Sequence, residues 1–321
     1  MTRSNMAMAG ALCLLAVLTG VRLLGGDPGI DLQAIFQGDD QEQAILTHFR
    51  GPRVILAMMT GAALAMAGTV SQVMLRNPLA SPDIIGFTAG ASAAAAAAIL
   101  IFGDISAAMP GALAGGILAA CLVFGLAWRD GISPLALVLV GVALNLMLIT
   151  ATDILLSLSP GILASEATRF LTGSFASADW RSAGLMALAC LVLGGVLTGL
   201  AFAIDRLELG DDLAVTLGLA PDRIRFCATV CIALIVAVSI AVAGPIPFIA
   251  FLAGPLARLA AARPGTVLGL SAVIGAILGI GADLLATLPI AGTRLPAGVF
   301  TALIGAPAML LLLLRLEVDR K

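Results

Sequence analysis

The chain of 321 residues is 60% hydrophobic and 11% charged, with a mean hydropathy of +1.11 and a formal net charge of −2 at pH 7. Soluble domains carry about 25% charged residues, so a water-soluble fold is excluded. An all-α, polytopic integral membrane protein is expected, as a single transmembrane domain over residues 1–321 with no nucleic-acid partner. Tyrosine is absent, His48 is the only histidine and Lys321 the only lysine. A Walker-type phosphate loop with its internal lysine, zinc-protease helices, Ser–Lys dyads and Ser–His–Asp triads are therefore excluded. Cys13, Cys121, Cys190, Cys227 and Cys231 all fall within apolar runs, which argues against a disulfide framework. Cys227 and Cys231 share a helix face, but two thiols alone make a poor metal site; they read as packing residues, and no metal is expected.

Arg3 precedes an apolar run over Met6–Leu24, longer than a signal-peptide core and read as the first span. A polar segment from Gly25 to Phe49 follows, with Asp27, Asp31, Asp39, Asp40, Glu42 and His48. Arg50-Gly-Pro-Arg53 then opens a second span running to about Leu75. Pro52 suits a first helical turn, but two arginines at the positive end of a helix dipole require an anion nearby, either lipid phosphate or carboxylates of a docking protein. Arg76-Asn-Pro-Leu-Ala-Ser-Pro-Asp83 is a turn. In it Ser81 as cap, Pro82 at the first position and Asp83 behind it predict that the third span starts at Asp83 and ends near Phe102.

Gly103 to Ala107 turns the chain, and Ala108–Ala127 is the fourth span. After the polar break at Trp128-Arg129-Asp130-Gly131, the fifth span runs over Pro134–Leu158 with Asn145 and Asp153 inside it. Residues 159–180 are amphipathic and predict an interfacial helix. Ala183–Ile204 is the sixth span. Alanine tracts such as Ala93–Ala98 and the four-residue pairs Gly86/Gly90, Gly195/Gly199 and Gly275/Gly279 fit helices packed closely through small residues.

The next stretch, DRLELGDDLAVTLGLAPDRIR (Asp205 to Arg225), is a charged island between two apolar runs and must lie in water. Within it Asp211 and Asp212 favour a helix N-terminus, Leu213, Ala214 and Leu217 repeat at helical spacing, and Gly218 and Pro221 stop the turn. A helix this short is marginal alone. It is either a solvated connector or a docking element for a soluble partner. Ile224–Ala243 is the seventh span, and Gly244-Pro-Ile-Pro247 breaks the chain before a short or bent eighth helix over Phe248–Leu259. The ninth, Thr266–Leu288, carries Asp283, and the tenth is Ala297–Leu314. Ten crossings put both termini on one side. Placing that side in the cytoplasm puts most of the basic residues, and the charged island, inside.

RGPRVILAMMTGAALAMAGTVSQVMLRNPLASPDIIGFTAGAS (Arg50 to Ser92) resembles the second and third helices of the iron-siderophore and vitamin B12 permease family of ABC importers, the FecCD type. LGDDLAVTLGL (209–219), GPIPFIAFLAGPLARL (244–259) and ADLLATLPIAGTRLPAGVFTALIGAP (282–307) are similar to its remaining signatures, in the family's order. The resemblance implies a ten-helix, type II ABC importer permease that pairs with a second permease chain around a central path. It further implies two cytoplasmic ATPase subunits, which hold the ATP and Mg, and a periplasmic or lipid-anchored binding protein. This chain is then a transport subunit of the bacterial cytoplasmic membrane, without a cofactor or a catalytic site of its own.

Residue by residue, Leu209, Gly210, Asp211, Asp212, Leu213, Ala214, Leu217 and Gly218, in a loop over 205–222, resemble the family's ATPase-coupling helix. Arg50 and Arg53 match arginines that meet glutamates on the binding protein. A third family arginine aligns with Thr287 here, while Arg294 stands where others have Glu and is the remaining docking candidate. Asn77 and Leu79 match cytoplasmic gate positions, a second gate position falls near Pro134 and Leu135, and Asn145 is expected along the path. SPDIIGFTAGAS and FLTGSFASADW (170–180) are closest in wording to ferric-enterobactin permeases. That favours a ferric siderophore, with cobalamin or haem as alternatives. Two other classes remain open on the residues alone: an ion-coupled secondary transporter using Asp153, Asn145 and Asp283 as a relay, and an intramembrane hydrolase.

Overall fold

A computed structural model of the chain describes residues 3–25, 39–128, 133–290 and 292–318. Asp27, Asp31, Arg129, Asp130, Gly131, Arg320 and Lys321 lie outside the described residues. Among the described residues the elements are helices and one hairpin of two-residue strands. The elements are α1 (Arg3–Leu24), α2 (Asp40–Ala44), a π-helical turn (Ile45–Arg50), α3 (Gly51–Met74), α4 (Phe87–Phe102) and α5 (Ala108–Ala127), the last entered through a 3-10 turn at Ile105–Ala107. They continue with α6 (Pro134–Leu158), α7 (Gly161–Leu171), α8 (Trp180–Leu207), α9 (Asp211–Thr216), α10 (Pro221–Ala243), α11 (Ile249–Ala261), α12 (Leu268–Thr287), β1 (Pro289–Ile290), β2 (Thr293–Arg294) and α13 (Ala297–Val318). Among the described residues, seven helices are long and apolar enough to cross a membrane, and three shorter apolar helices, Phe87–Phe102, Ile249–Ala261 and Ala297–Leu312, accompany them. Each coincides with one of the ten expected spans.

α3 is the axis of the bundle. Every residue from Thr60 to Met74 is buried, and α12, α8, α11 and α10 all pack along it. The composition explains why. A Cβ on Gly61 would collide with the Gly275 backbone, and one on Gly68 with that of Ala250. One on Gly279 would strike the carbonyl of Ala57. With the hydrophobic effect weak between helices in lipid, such backbone approach supplies the dispersion contacts that hold the bundle together. Gly86 and Gly90 likewise face backbone or Cβ atoms of α6 and α5, as their spacing suggested, whereas Gly195 and Gly199 face nothing within 4 Å.

Most ends shift by a few residues, and some boundaries differ in kind from those read in the sequence. The third span begins at Phe87, not Asp83: Ile84 and Ile85 donate their amides to the Ser81 carbonyl in successive turns, and Gly86 caps the helix at φ +90°. Asp83 accepts the Thr88 hydroxyl and so is engaged in the turn rather than in a helical cap. The polar segment is partly helical, and its π-helical turn runs straight into α3. The interfacial helix spans only Gly161–Leu171, while Trp180 belongs to α8, whose capping box Asp179/Ser182 starts that helix ahead of Ala183. The short hairpin between α12 and α13 was not anticipated.

The expected break after α10 is present. Gly244 (φ +71°) and Gly173 (φ +70°) let three loops close on one another, with the Ser174 amide on the Ala243 carbonyl (2.7 Å) and the Gly298 amide on the Gly173 carbonyl (3.0 Å). The backbone groups freed by the interruption are thus satisfied within the protein, as irregular chain at membrane depth demands.

Candidate functional site

Two clusters of charge stand at opposite ends of α3, which at 24 residues is about 36 Å long. The first is built on α9. Asp211 and Asp212 occupy its first turn, where carboxylates complement the helix dipole. Gly210 precedes it at φ +114° and Gly218 follows at φ +79°. The Gly218 and Leu219 amides close the end on the Val215 and Ala214 carbonyls. The apolar edge expected from Leu213, Ala214 and Leu217 is divided: Ala214 is fully buried against this chain, whereas Leu213 and Leu217 are 54% and 57% exposed. Leu209 and Val215 are exposed with them.

α9 is tied down through Asp211. Arg225, at the start of α10 and 1% exposed, donates Nη1 to Oδ2 (2.7 Å) and Nη2 to Oδ1 (2.6 Å), a bidentate pair. Arg76 donates Nη2 to the same Oδ1 at 2.7 Å and Nε to the Leu207 carbonyl at 2.8 Å. The Arg225 hydrogen bonds hold the Asp211 carboxyl below the usual carboxylate range, with the Arg225 and Arg76 charges adding to the effect. Arg76 takes φ +51° and leads directly into the turn of the gate candidates, where Asn77 accepts the Leu79 amide at 2.9 Å. Beside that turn lies a polar cavity of about 320 Å³ lined by Gln72, Arg76, Asn77, Glu208 and Arg258. Arg258 donates to Gln72 (2.6 Å), and Gln72 donates in turn to the Phe251 carbonyl (2.9 Å), joining α11 to α3. Burial pushes the Glu208 carboxyl up, and Asp205 adds to the shift against the pull of Arg258 and Arg76.

The second cluster sits at the start of α3. Arg50 is 8% exposed and donates Nη1 to the Leu23 and Gly25 carbonyls at 2.8 and 2.6 Å, which fixes the end of α1. Arg53 donates Nε to Asp283 Oδ1 at 2.8 Å and holds Nη2 2.7 Å from the same oxygen, and Arg22 of α1 donates Nε to Oδ2 at 2.6 Å. The anion that the arginines at this helix N-terminus call for is therefore, for Arg53, a carboxylate of the same chain. Asp283 is completely buried, and as an ion-pair partner it lines no open path here. Arg294, the third docking candidate, stands exposed on β2, and Thr287 donates its hydroxyl to the Leu284 carbonyl.

The remaining path candidates are spread along α6. Leu135 is 67% exposed, Pro134 and Asn145 are half-buried, and Asp153 is exposed. Asp153 and Asp283 thus stand in unlike surroundings, and no contact joins them into a relay among the described residues. Arg22, Arg76, Gln72, Arg225 and Arg258 were not singled out from the sequence. A signal was present for Arg225, a charged residue in the first turn of an apolar helix, but its partner lies 14 residues back across Gly218.

Comparison with known proteins bears on the chain as a whole. The FecCD transport family matches residues 10–315. The chain is 32% identical to the ferric enterobactin transport system permease protein of Escherichia coli (strain K12), over 94% of this chain and 93% of that one. It is 36% identical to the Fe(3+) dicitrate transport system permease protein of the same organism, covering 98% and 97%. The vitamin B12 import system permease protein of Vibrio cholerae is 34% identical, covering 85% and 84%. A solved structure of a metal-chelate type ABC transporter in an inward-facing conformation superposes with a TM-score of 0.89 at 25% identity, covering 97% of this chain and 99% of that one. The chain therefore belongs to the FecCD transport family, as a polytopic permease subunit of an ABC importer whose ATPase is a separate polypeptide.

Proposed function

We propose that this permease carries a ferric siderophore across the bacterial cytoplasmic membrane by alternating access, with both termini and α9 in the cytoplasm. The observation that carries the reading is α9 itself. A six-residue helix in a charged loop holds Leu213, Val215 and Leu217 out into water, an arrangement that costs free energy until a partner covers it. A cleft in one of two ATPase subunits is that partner, the second permease chain meeting the other. ATP and Mg belong there, and α9 transmits the ATPase's motion to the Asn77–Leu79 turn. Asn77 and Leu79, with Pro134 and Leu135 at the start of α6, form the cytoplasmic gate, and Asn145 lines the path between this chain and a second permease chain. At the far end Arg294, and the part of Arg53 that Asp283 leaves uncovered, receive acidic residues of a periplasmic or lipid-anchored binding protein. Arg50 shapes that surface from beneath.

The named relatives support an iron chelate: enterobactin and dicitrate permeases align over nearly the whole chain. The vitamin B12 permease aligns over somewhat less of it, so cobalamin is the second reading. The test is uptake into vesicles holding the complete complex, with iron-55 ferric enterobactin and labelled cyanocobalamin offered in parallel. ATP-dependent uptake of the iron chelate alone is expected. Uptake by vesicles that contain only this polypeptide, or topology mapping that puts Asp211 outside, overturns the proposal.

A further inference from the structure

We infer that Asp211 is the positioning residue that makes the ATPase-coupling helix and the gate-bearing turn move as one body. The inference rests on the reading of α9 as the ATPase's docking element. Both covalent connections of α9 pass through glycines, Gly210 at φ +114° and Gly218 at φ +79°, and neither has another residue within 4 Å of where a Cβ would be. Glycine's wide conformational range makes these the most permissive points of the connection. Within the helix only Ala214 is buried, so packing against this chain is slight. A push on Leu213 and Leu217 would turn α9 about its glycines and leave the rest of the protein still, unless something stiffer than the backbone connects them.

That connection is the Asp211 carboxylate. It receives two bonds from Arg225, which is anchored in the core at the start of α10, and one from Arg76. The Arg76 guanidinium bridges to the Leu207 carbonyl at the end of α8, and its own backbone, at φ +51°, is the first residue of the turn that carries Asn77 and Leu79. One carboxylate thus joins α9 to α8, to α10 and to the gate turn through charge-assisted bonds, the strongest and most directional kind at hand. The bonds are also only partly shielded from water, since the Asp211 and Arg76 side chains are 45% and 39% exposed. The Arg76 bond holds geometry while adding little to the stability of the fold, whereas the Arg225 side chain, 1% exposed, fixes the carboxylate to the core.

The experiment uses the full complex with its ATPase subunits in lipid nanodiscs. Spin labels are placed at Asp212→Cys on α9 and Pro78→Cys on the turn, with the native cysteines replaced. With Asp211 present, the distance between labels keeps one narrow distribution with and without ATP. In Asp211→Asn, nearly isosteric but uncharged, the distribution is expected to broaden, or to shift on ATP addition by about 1–5 Å, the scale of helix displacements. The ATPase should still co-purify. Arg76→Lys, at the surface and retaining its charge, is expected to fall between the two. An unchanged distribution in both variants overturns the inference. So does loss of ATPase binding in Asp211→Asn, which would place the carboxylate in the docking contact itself. Failure of the underlying reading shows separately, as an ATPase that still binds after Leu213→Asp with Leu217→Asp.

Discussion

Asp211 and Asp283 are each held between two arginines by close ionic contacts, yet they sit at opposite ends of α3 in opposite surroundings. The Asp283 side chain has no exposure and joins α1, α3 and α12 through Arg22 and Arg53. The Asp211 side chain is 45% exposed and that of Arg76 39%, so water reaches this half of the cluster although Arg225 is 1% exposed. In the interior, an ion deprived of its partner keeps its full desolvation penalty, whereas at the surface water and salt take the partner's place. The same grouping of residues is therefore a fixed joint at one end and a remakeable linkage at the other. An importer that closes one end while opening the other needs some element of each kind.

Breaking the buried joint gives the largest effect. Asp283→Asn leaves two arginines facing each other in the interior and is expected to destabilise the chain by about 3–5 kcal/mol, read by thermal unfolding in detergent. Replacing Arg22, Arg53 and Asp283 together with apolar residues of similar size should recover most of that loss. A wild-type melting curve for Asp283→Asn would remove the contrast. Next in size is Leu213→Asp with Leu217→Asp. Burying one large apolar side chain is worth roughly 1.5–3 kcal/mol, so ATPase association should weaken by a hundredfold or more while unfolding is unchanged. Co-purification of the two subunits checks it.

Arg294→Glu is expected to weaken capture of the binding protein several-fold at low ionic strength, with the effect shrinking toward 0.5 M salt as the Debye length falls below about 5 Å. A salt-independent affinity would assign Arg294 another role. Smallest is Arg76→Lys measured by stability alone, a change of no more than about 1 kcal/mol, because the Arg76–Asp211 pair is partly in water on both sides. The acid dependence sharpens the point. The folded Asp211 carboxyl lies below its ordinary value, near 3.9 in an unfolded chain. Its contribution is therefore fully present above that value and is lost as pH falls through the lower folded one. Between pH 8 and pH 5 the α9 linkage should not loosen, and spin-label distances across that range test it.

The spans were legible because each is an uninterrupted apolar run, and a bilayer permits little else there than a helix. α9 was legible for a local reason as well: Asp211, Asp212 and Gly218 carry its start and stop within a few residues. The turn from Ser81 to Gly86 was not. Ser-Pro-Asp has the chemistry of a helix cap, but Ile85 stands against the Gly141 backbone of α6, and that crossing leaves the chain no room to begin a helix before Phe87. Two cations at a helix start, Arg50 and Arg53, demand an anion, and nothing local shows that for Arg53 an Asp283 lying 230 residues beyond is one that meets it.

Hydropathy, glycine spacing and cap residues act over a few turns of chain, so the sequence alone determined the membrane class, the helices and the charged character of the loop that holds α9. Which arginine meets which carboxylate, and whether that pair is sealed from water, depends on residues brought together from 14 to 261 positions apart. Only the tertiary structure decided it, because the strength of an ion pair is set by the surroundings that packing creates and not by the two residues that form it.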